Sequence, residues 1–180
     1  MKNYAKLKGS RITAQSLVDI LKSSGYELKL PVDINSIIEI LGIPIEKKPD
    51  FRKAKVTGSI SMKDGNPKIW INPMLNQSKE RERFTLAHEL GHFMLHIAPT
   101  FKDDCIEDDT IELNRDGNWD VKEMEANKFA AEFLMPKEKV ETEFDIIDSS
   151  LSKEMKIEKL AEIFQVSRQA IQFRLQSIGL

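Results

Sequence analysis

Apolar side chains recur along this chain at helical and at alternating spacings, and the change from one to the other marks out its elements. Ile12, Leu17, Ile20 and Leu21 form one face of a first helix over residues 10–24, closed by Gly25. Ile34, Ile37, Ile38 and Leu41 do the same over residues 33–41, with Gly42 behind them. A short strand follows at 43–46. Residues 56–62 and 68–72 then read as a β-hairpin around Asp64-Gly65, in a loop of two residues or more, with Pro67 and Pro73 bounding the second strand. Ser78 is placed to cap a third helix, whose apolar positions are Phe84, Ala87, Gly91, Met94 and Leu95. A further helix runs from Glu123 and stops near Pro136. The pattern predicts an α+β fold in which a small, mostly antiparallel sheet packs on a helical core. Two parts are expected: residues 1–150 as the main domain, and 151–180 as a helical segment packed on it or appended to it.

Composition narrows the class. Of 180 residues, 41% are hydrophobic and 31% charged, as in a soluble globular protein. A net charge of −2 predicts no general affinity for nucleic acid or for an anionic membrane. The single cysteine, Cys105, precludes a disulfide within the chain and fits a reducing compartment. Residues 1–11 lack the apolar core of a signal peptide, and no stretch approaches the ~20 apolar residues of a membrane span. A cytoplasmic location is expected.

The third helix carries the chemistry. His88-Glu89-Leu90-Gly91-His92 puts two imidazoles at i and i+4, on one helix face, where they can grip one metal ion. Glu89 lies about 100° round from His88, suited to reach a metal-held water without ligating the metal. HExxH on a helix is the signature of zinc peptidases. The alternative is a core helix whose histidines merely satisfy hydrogen bonds; a glutamate standing where a water-activating base belongs favours the metal.

A catalytic zinc site takes three protein ligands and leaves one position open. His96 continues the row, but His88 and His96 span about 12 Å of helix at ~1.5 Å per residue, too far for one ion. It reads instead as a residue favoured by the helix C-terminal dipole. The donor must come from another element. In the helix from residue 123, Glu123, Asn127, Ala130 and Leu134 share a face, and Asn127 is placed to hold an imidazole or the liganding carboxylate. Glu125 is a competing donor, and Asp120 with Glu123 has the spacing of a capping box. Spacing alone does not choose. Gly91 costs about 1 kcal/mol inside a helix, which close packing there would explain.

Two further stretches hold chemistry or charge. Residues 98–118 are acidic, with Asp103, Asp104, Glu107, Asp108, Asp109, Glu112 and Asp116 against Lys102 and Arg115. They read as a solvated loop, with a lid over the cleft, or a site for a basic substrate segment, as the alternatives. Cys105 lies inside that run, and a thiolate there is able in principle to block the metal's open position. Residues 156–175 have the form of a helix-turn-helix, turning near Gln165-Val166-Ser167 with Ser167 as cap, although glutamine replaces the usual glycine of the turn. Five Lys/Arg against three Glu in 151–180 leave about +2, thin for a DNA-binding surface. Helices packed on the core or against a partner are the favoured reading.

Residues 84–92 (Phe-Thr-Leu-Ala-His-Glu-Leu-Gly-His), followed by Glu123-x-x-Ala126-Asn127-x-Phe129-Ala130-Ala131-x-x-Leu134-Met135-Pro136, resemble the ImmA/IrrE family of zinc metallopeptidases. Pro31-Val32-Asp33, Leu41-Gly42-Ile43, Ile69-Trp70-Ile71-Asn72 and the end of the chain, with Leu160-Ala161, Phe164, Val166-Ser167, Ala170 and Arg174-Leu175, resemble it too, so the likeness covers residues 10–180. It implies a zincin-like, gluzincin-like core with Zn2+ on His88, His92 and Glu123, and with Glu89 as the base. It also implies a protein substrate: a helix-turn-helix transcriptional repressor, cut at one site, in a stress response or a mobile element. Glu89 would then assist attack of a zinc-held water on the peptide bond and return the proton to the leaving amine. Tyr4, Tyr26 and His96 are the tyrosine and histidine candidates for stabilising the oxyanion. Two other functions stand beside the peptidase: a non-catalytic antirepressor or antitoxin-type binding protein that keeps the zinc fold, and a DNA-binding regulator. An edge strand of the hairpin, Gly58 to Ile60 or Ile69 to Ile71, is expected to bind an extended substrate by strand addition, or else merely to support the helix.

Overall fold

The computed structural model describes residues 3–109 and 121–180. Among them are seven α-helices and four strands, in the order α1 (Ala14–Ser23), α2 (Ile34–Leu41), β1 (Ile45–Lys47), β2 (Val56–Lys63), β3 (Asn66–Ile71), α3 (Lys79–His92), β4 (Asp104–Asp109), α4 (Val121–Leu134), α5 (Lys137–Ile146), α6 (Lys153–Phe164) and α7 (Arg168–Ile178). The fold is α+β, as expected. The sheet runs β1-β3-β2-β4; β1 lies parallel to β3 and the other two pairs are antiparallel.

The local chemistry accounts for most boundaries. Thr13, Asp33, Ser78, Ser152 and Ser167 each accept a backbone N–H of the helix they open, which fills part of the unpaired first turn. The first helix therefore starts at Ala14 rather than at residue 10, and Ala14, Leu17, Val18 and Leu21 are its buried stripe, with Ile20 exposed. The second helix buries Ile34, Ile37, Ile38 and Leu41 as the pattern predicts. Asp64 and Gly65 both adopt positive φ, the requirement of a tight two-residue hairpin turn, and Lys63 pairs with Asn66 directly across it. Pro67 does not bound β3 but lies inside it, opposite Met62. Ile69 N–H donates outward to the Pro44 carbonyl, so Pro67 two residues earlier turns its nitrogen to the same edge, before the pairing with β1 begins.

The acidic run is not simply a solvated loop. Its residues 104–109 form β4, with Ile106 opposite Ile60. The reason is alternation: Ile106 is partly buried against the core, while Glu107 pairs with Lys53. The part of that run from 110 to 118, and Asp120 as a cap, lie outside the described residues. With β4 in place, β2 and β3 are interior strands, so neither Gly58 to Ile60 nor Ile69 to Ile71 offers a free edge.

Helix α3 is the hub. Every residue from Thr85 to His92 is buried, not one face alone, because the sheet covers one side and α4 the other. It runs on into a π-helical turn over Phe93–Ile97. Ile157, Leu160, Phe164, Ile171 and Leu175 of the last two helices, and Val166 in the turn between them, join the same buried cluster. Arg83 on α3 reaches the carbonyls of Phe164 and Gln165 at the end of α6, and Arg174 on α7 donates to the Met135 carbonyl at 2.9 Å. Gln165 itself takes the left-handed conformation, φ 50°, normally left to glycine. No helix among the described residues is long and apolar enough to cross a membrane.

Candidate metal centre

His88 and His92 are one turn apart on α3, with ring centroids 4.5 Å apart, and their Nε2 atoms converge to 2.9 Å. Glu123, in the first turn of α4, closes the triangle: one carboxylate oxygen is 3.1 Å from His88 Nε2 and the other is 3.1 Å from His92 Nε2. Among the described residues these three form the one cluster able to hold a metal ion. Tetrahedral zinc with bonds of about 2.0–2.1 Å sets ligand atoms roughly 3.3–3.4 Å apart, so this donor set fits a divalent ion with small adjustments. Burial raises the Glu123 carboxyl, but the two imidazoles facing it reverse this and hold it well below the usual carboxylate range.

Glycine makes the approach possible. A Cβ on Gly91 would lie 3.1 Å from the Phe129 Cβ and 3.2 Å from the Ala126 carbonyl, so α3 and α4 touch through their backbones there. That contact lies about one turn beyond Glu123 on α4. Asn127, in that same turn of α4 and four residues after Glu123, has its side-chain carbonyl 3.1 Å from His88 Nδ1, where that N–H can donate and leave Nε2 free to ligate.

Glu89 is fully buried beside the triangle, and neither carboxylate oxygen has a hydrogen-bond partner among the described residues. Burial, then the charges of Asp108 and Glu123, push its carboxyl well above the ordinary range. A buried carboxyl without protein partners is costly as structure but suited to exchanging protons with a ligand. The β2 backbone lies directly above it: a Cβ on Gly58 would come within 2.6 Å of Glu89 Oε1. Such a donor set, with a buried carboxyl beside it, can hold a Lewis acid and move a proton next to it. A cavity of about 870 Å3 runs from Thr57, Thr85 and Asp108 past Phe84 to the turn between α6 and α7.

Residues 38–176 match the family model for peptidase M78, described as an IrrE N-terminal-like domain. The chain belongs to the peptidase M78 family. This is the family that the residue pattern resembles, and it is of metallopeptidase type. A comparison with curated proteins finds no significant match. The M78 match takes in α3, α4 and most of α7, so the donor set and the C-terminal helices fall inside it.

Other residues singled out in this M78 chain lie elsewhere. Glu125 points away from the centre and pairs with Arg11 and His96. His96 sits in the π-helical turn, 3.3 Å from the Lys122 carbonyl, and burial followed by the nearby His92 lowers its basicity. Tyr4 is buried between Phe93 and Phe101, and Tyr26 packs against the core. Cys105 is exposed. The pattern did not single out Thr57 or Arg83, and it named Gly58 only as the start of a possible substrate-binding edge strand and Asp108 only within the acidic run. For Asp108 a signal existed, since it follows Ile106 by two and so shares its face of the strand.

Proposed function

We propose that this chain is a zinc-dependent, site-specific endopeptidase that cuts a helix-turn-helix transcriptional repressor, in the cytoplasm. The observation that carries the hydrolytic part is the buried Glu89 carboxyl, without a hydrogen-bond partner among the described residues, beside a three-donor cluster. A purely structural zinc is closed by four protein ligands and needs no base. The lone cysteine supports a reducing location. The repressor as substrate rests on the family resemblance.

The residues divide the work. His88, His92 and Glu123 would hold the ion, and Asn127 would fix the ring of His88. A divalent metal there supplies Lewis acidity, which acidifies a water and polarises a carbonyl. Glu89 takes one proton from the attacking water and delivers it to the leaving amine, so that the C–N bond breaks to a free acid and a free amine.

The test is co-expression with a repressor encoded beside it, followed by intact-mass analysis. The wild type should yield two complementary fragments of the repressor, whereas Glu89→Gln should bind metal equally and yield none. A Gln variant that relieves repression as fully as the wild type would replace this reading with that of a non-catalytic antirepressor.

A further inference from the structure

The edge strand β4 runs antiparallel along the border of β2 that overlies Glu89, with Asp108 in register with Gly58. The pairing is irregular here: an extra residue, Thr57, bulges between Val56 and Gly58. Thr57 is buried, and its hydroxyl lies 2.8 Å from Asp108 Oδ2, to which it donates. That same oxygen is 3.9 Å from His88 Nε2. The bulge therefore re-aims one side chain, and a buried hydroxyl holds the result against the metal-binding triangle. Neighbouring residues fasten the strand, Ile106 against the core and Glu107 on Lys53. Cys105, three residues earlier, falls on the opposite face of the strand.

Resting on the metalloenzyme reading above, we propose that Asp108 is a fourth, displaceable ligand of the metal, so that β4 occupies the substrate's place until substrate drives it off. Three protein donors leave one position, and that position must admit the scissile carbonyl. Asp108 Oδ2 is 3.9 Å from His88 Nε2 but lies outside the set of donors that are all within 4.8 Å of one another, so ligation requires its carboxylate to swing from Thr57 toward the triangle. An extended segment alongside β2 is also the geometry that substrate strands adopt when they add to a sheet edge. Here the chain supplies that segment itself. The device explains how an endopeptidase held in a cell full of protein stays restrained: only a partner that displaces Asp108 and β4 together gains the metal.

The test compares the wild type with Asp108→Asn, which keeps a carbonyl for Thr57, and with Asp108→Ala. Zinc affinity is read by chelator competition, and the Co2+-loaded proteins are read by visible absorption and by binding of a simple hydroxamate. The proposal expects zinc to bind about tenfold more weakly in both variants, a changed Co2+ spectrum, and hydroxamate to bind about tenfold more tightly with no carboxylate to displace. Unchanged zinc and hydroxamate affinities would overturn it. So would weaker hydroxamate binding, which would make Asp108 an anchor for ligands rather than their competitor. If the affinities shift as expected and the zinc-loaded wild type cuts no repressor, the peptidase reading falls and the ligand assignment stands.

Discussion

Gly91→Ala tests the contact on which the metal centre depends. In isolation alanine should help, since it gains about 1 kcal/mol over glycine inside a helix. The structure predicts the reverse. The new Cβ would meet the Phe129 Cβ and Cδ1 at 3.1 Å and the Ala126 carbonyl at 3.2 Å. Two of these atoms are backbone or its first branch, so no rotamer change relieves them and α4 must move. Overpacking of this kind costs about 1–3 kcal/mol. The net loss is then up to about 2 kcal/mol, at about 2–4 °C of melting temperature per kcal/mol for a chain of this size. Because Glu123 lies about a turn before the contact on the same helix, the shift also opens the 3.1 Å edges between its carboxylate and the two imidazoles. Zinc should bind about tenfold more weakly, as when a supporting group around a metal site is lost. Melting curves in excess chelator give the first quantity and chelator competition the second. A variant that melts 2–4 °C higher and keeps its zinc affinity would show that close packing is not why glycine stands here.

Glu123→Ala should abolish tight zinc binding, while Glu125→Ala, which loses a half-exposed pair with Arg11 and a 3.8 Å contact with His96, should retain zinc and lose less than about 1 kcal/mol; metal content after gel filtration separates them. Asn127→Ala should weaken zinc about 10–100-fold by freeing the His88 ring, measured by chelator competition. Gln165→Gly should stabilise the chain by up to about 1.5 kcal/mol, since a left-handed non-glycine residue costs about 1–2 kcal/mol and glycine's extra chain entropy returns about 0.5–1 of it. A denaturation midpoint that falls instead would show that the Gln165 side chain contributes contacts of its own.

Residue order alone determined the features that depend on short range. Caps at Asp33, Ser78 and Ser167, the Asp64-Gly65 turn and the stripe of α2 follow from hydrogen bonds and periodicity within a few residues. His88 and His92 share a face for the same reason: the period of one helix puts them there. Tertiary structure decided whatever depends on a distant partner. Glu123 and Glu125 look alike in sequence, yet the docking of α4 on Gly91 brings the first to both imidazoles and sends the second to Arg11. The complete burial of Thr85 to His92 came from sheet and helix closing on both sides of α3, which no single-face pattern announces. The run around Asp108 reads as a charged loop because its one inward apolar residue, Ile106, is too weak a period to declare a strand. Pairing with β2 supplies the backbone hydrogen bonds that make it one, and thereby sets a carboxylate 3.9 Å from His88 Nε2.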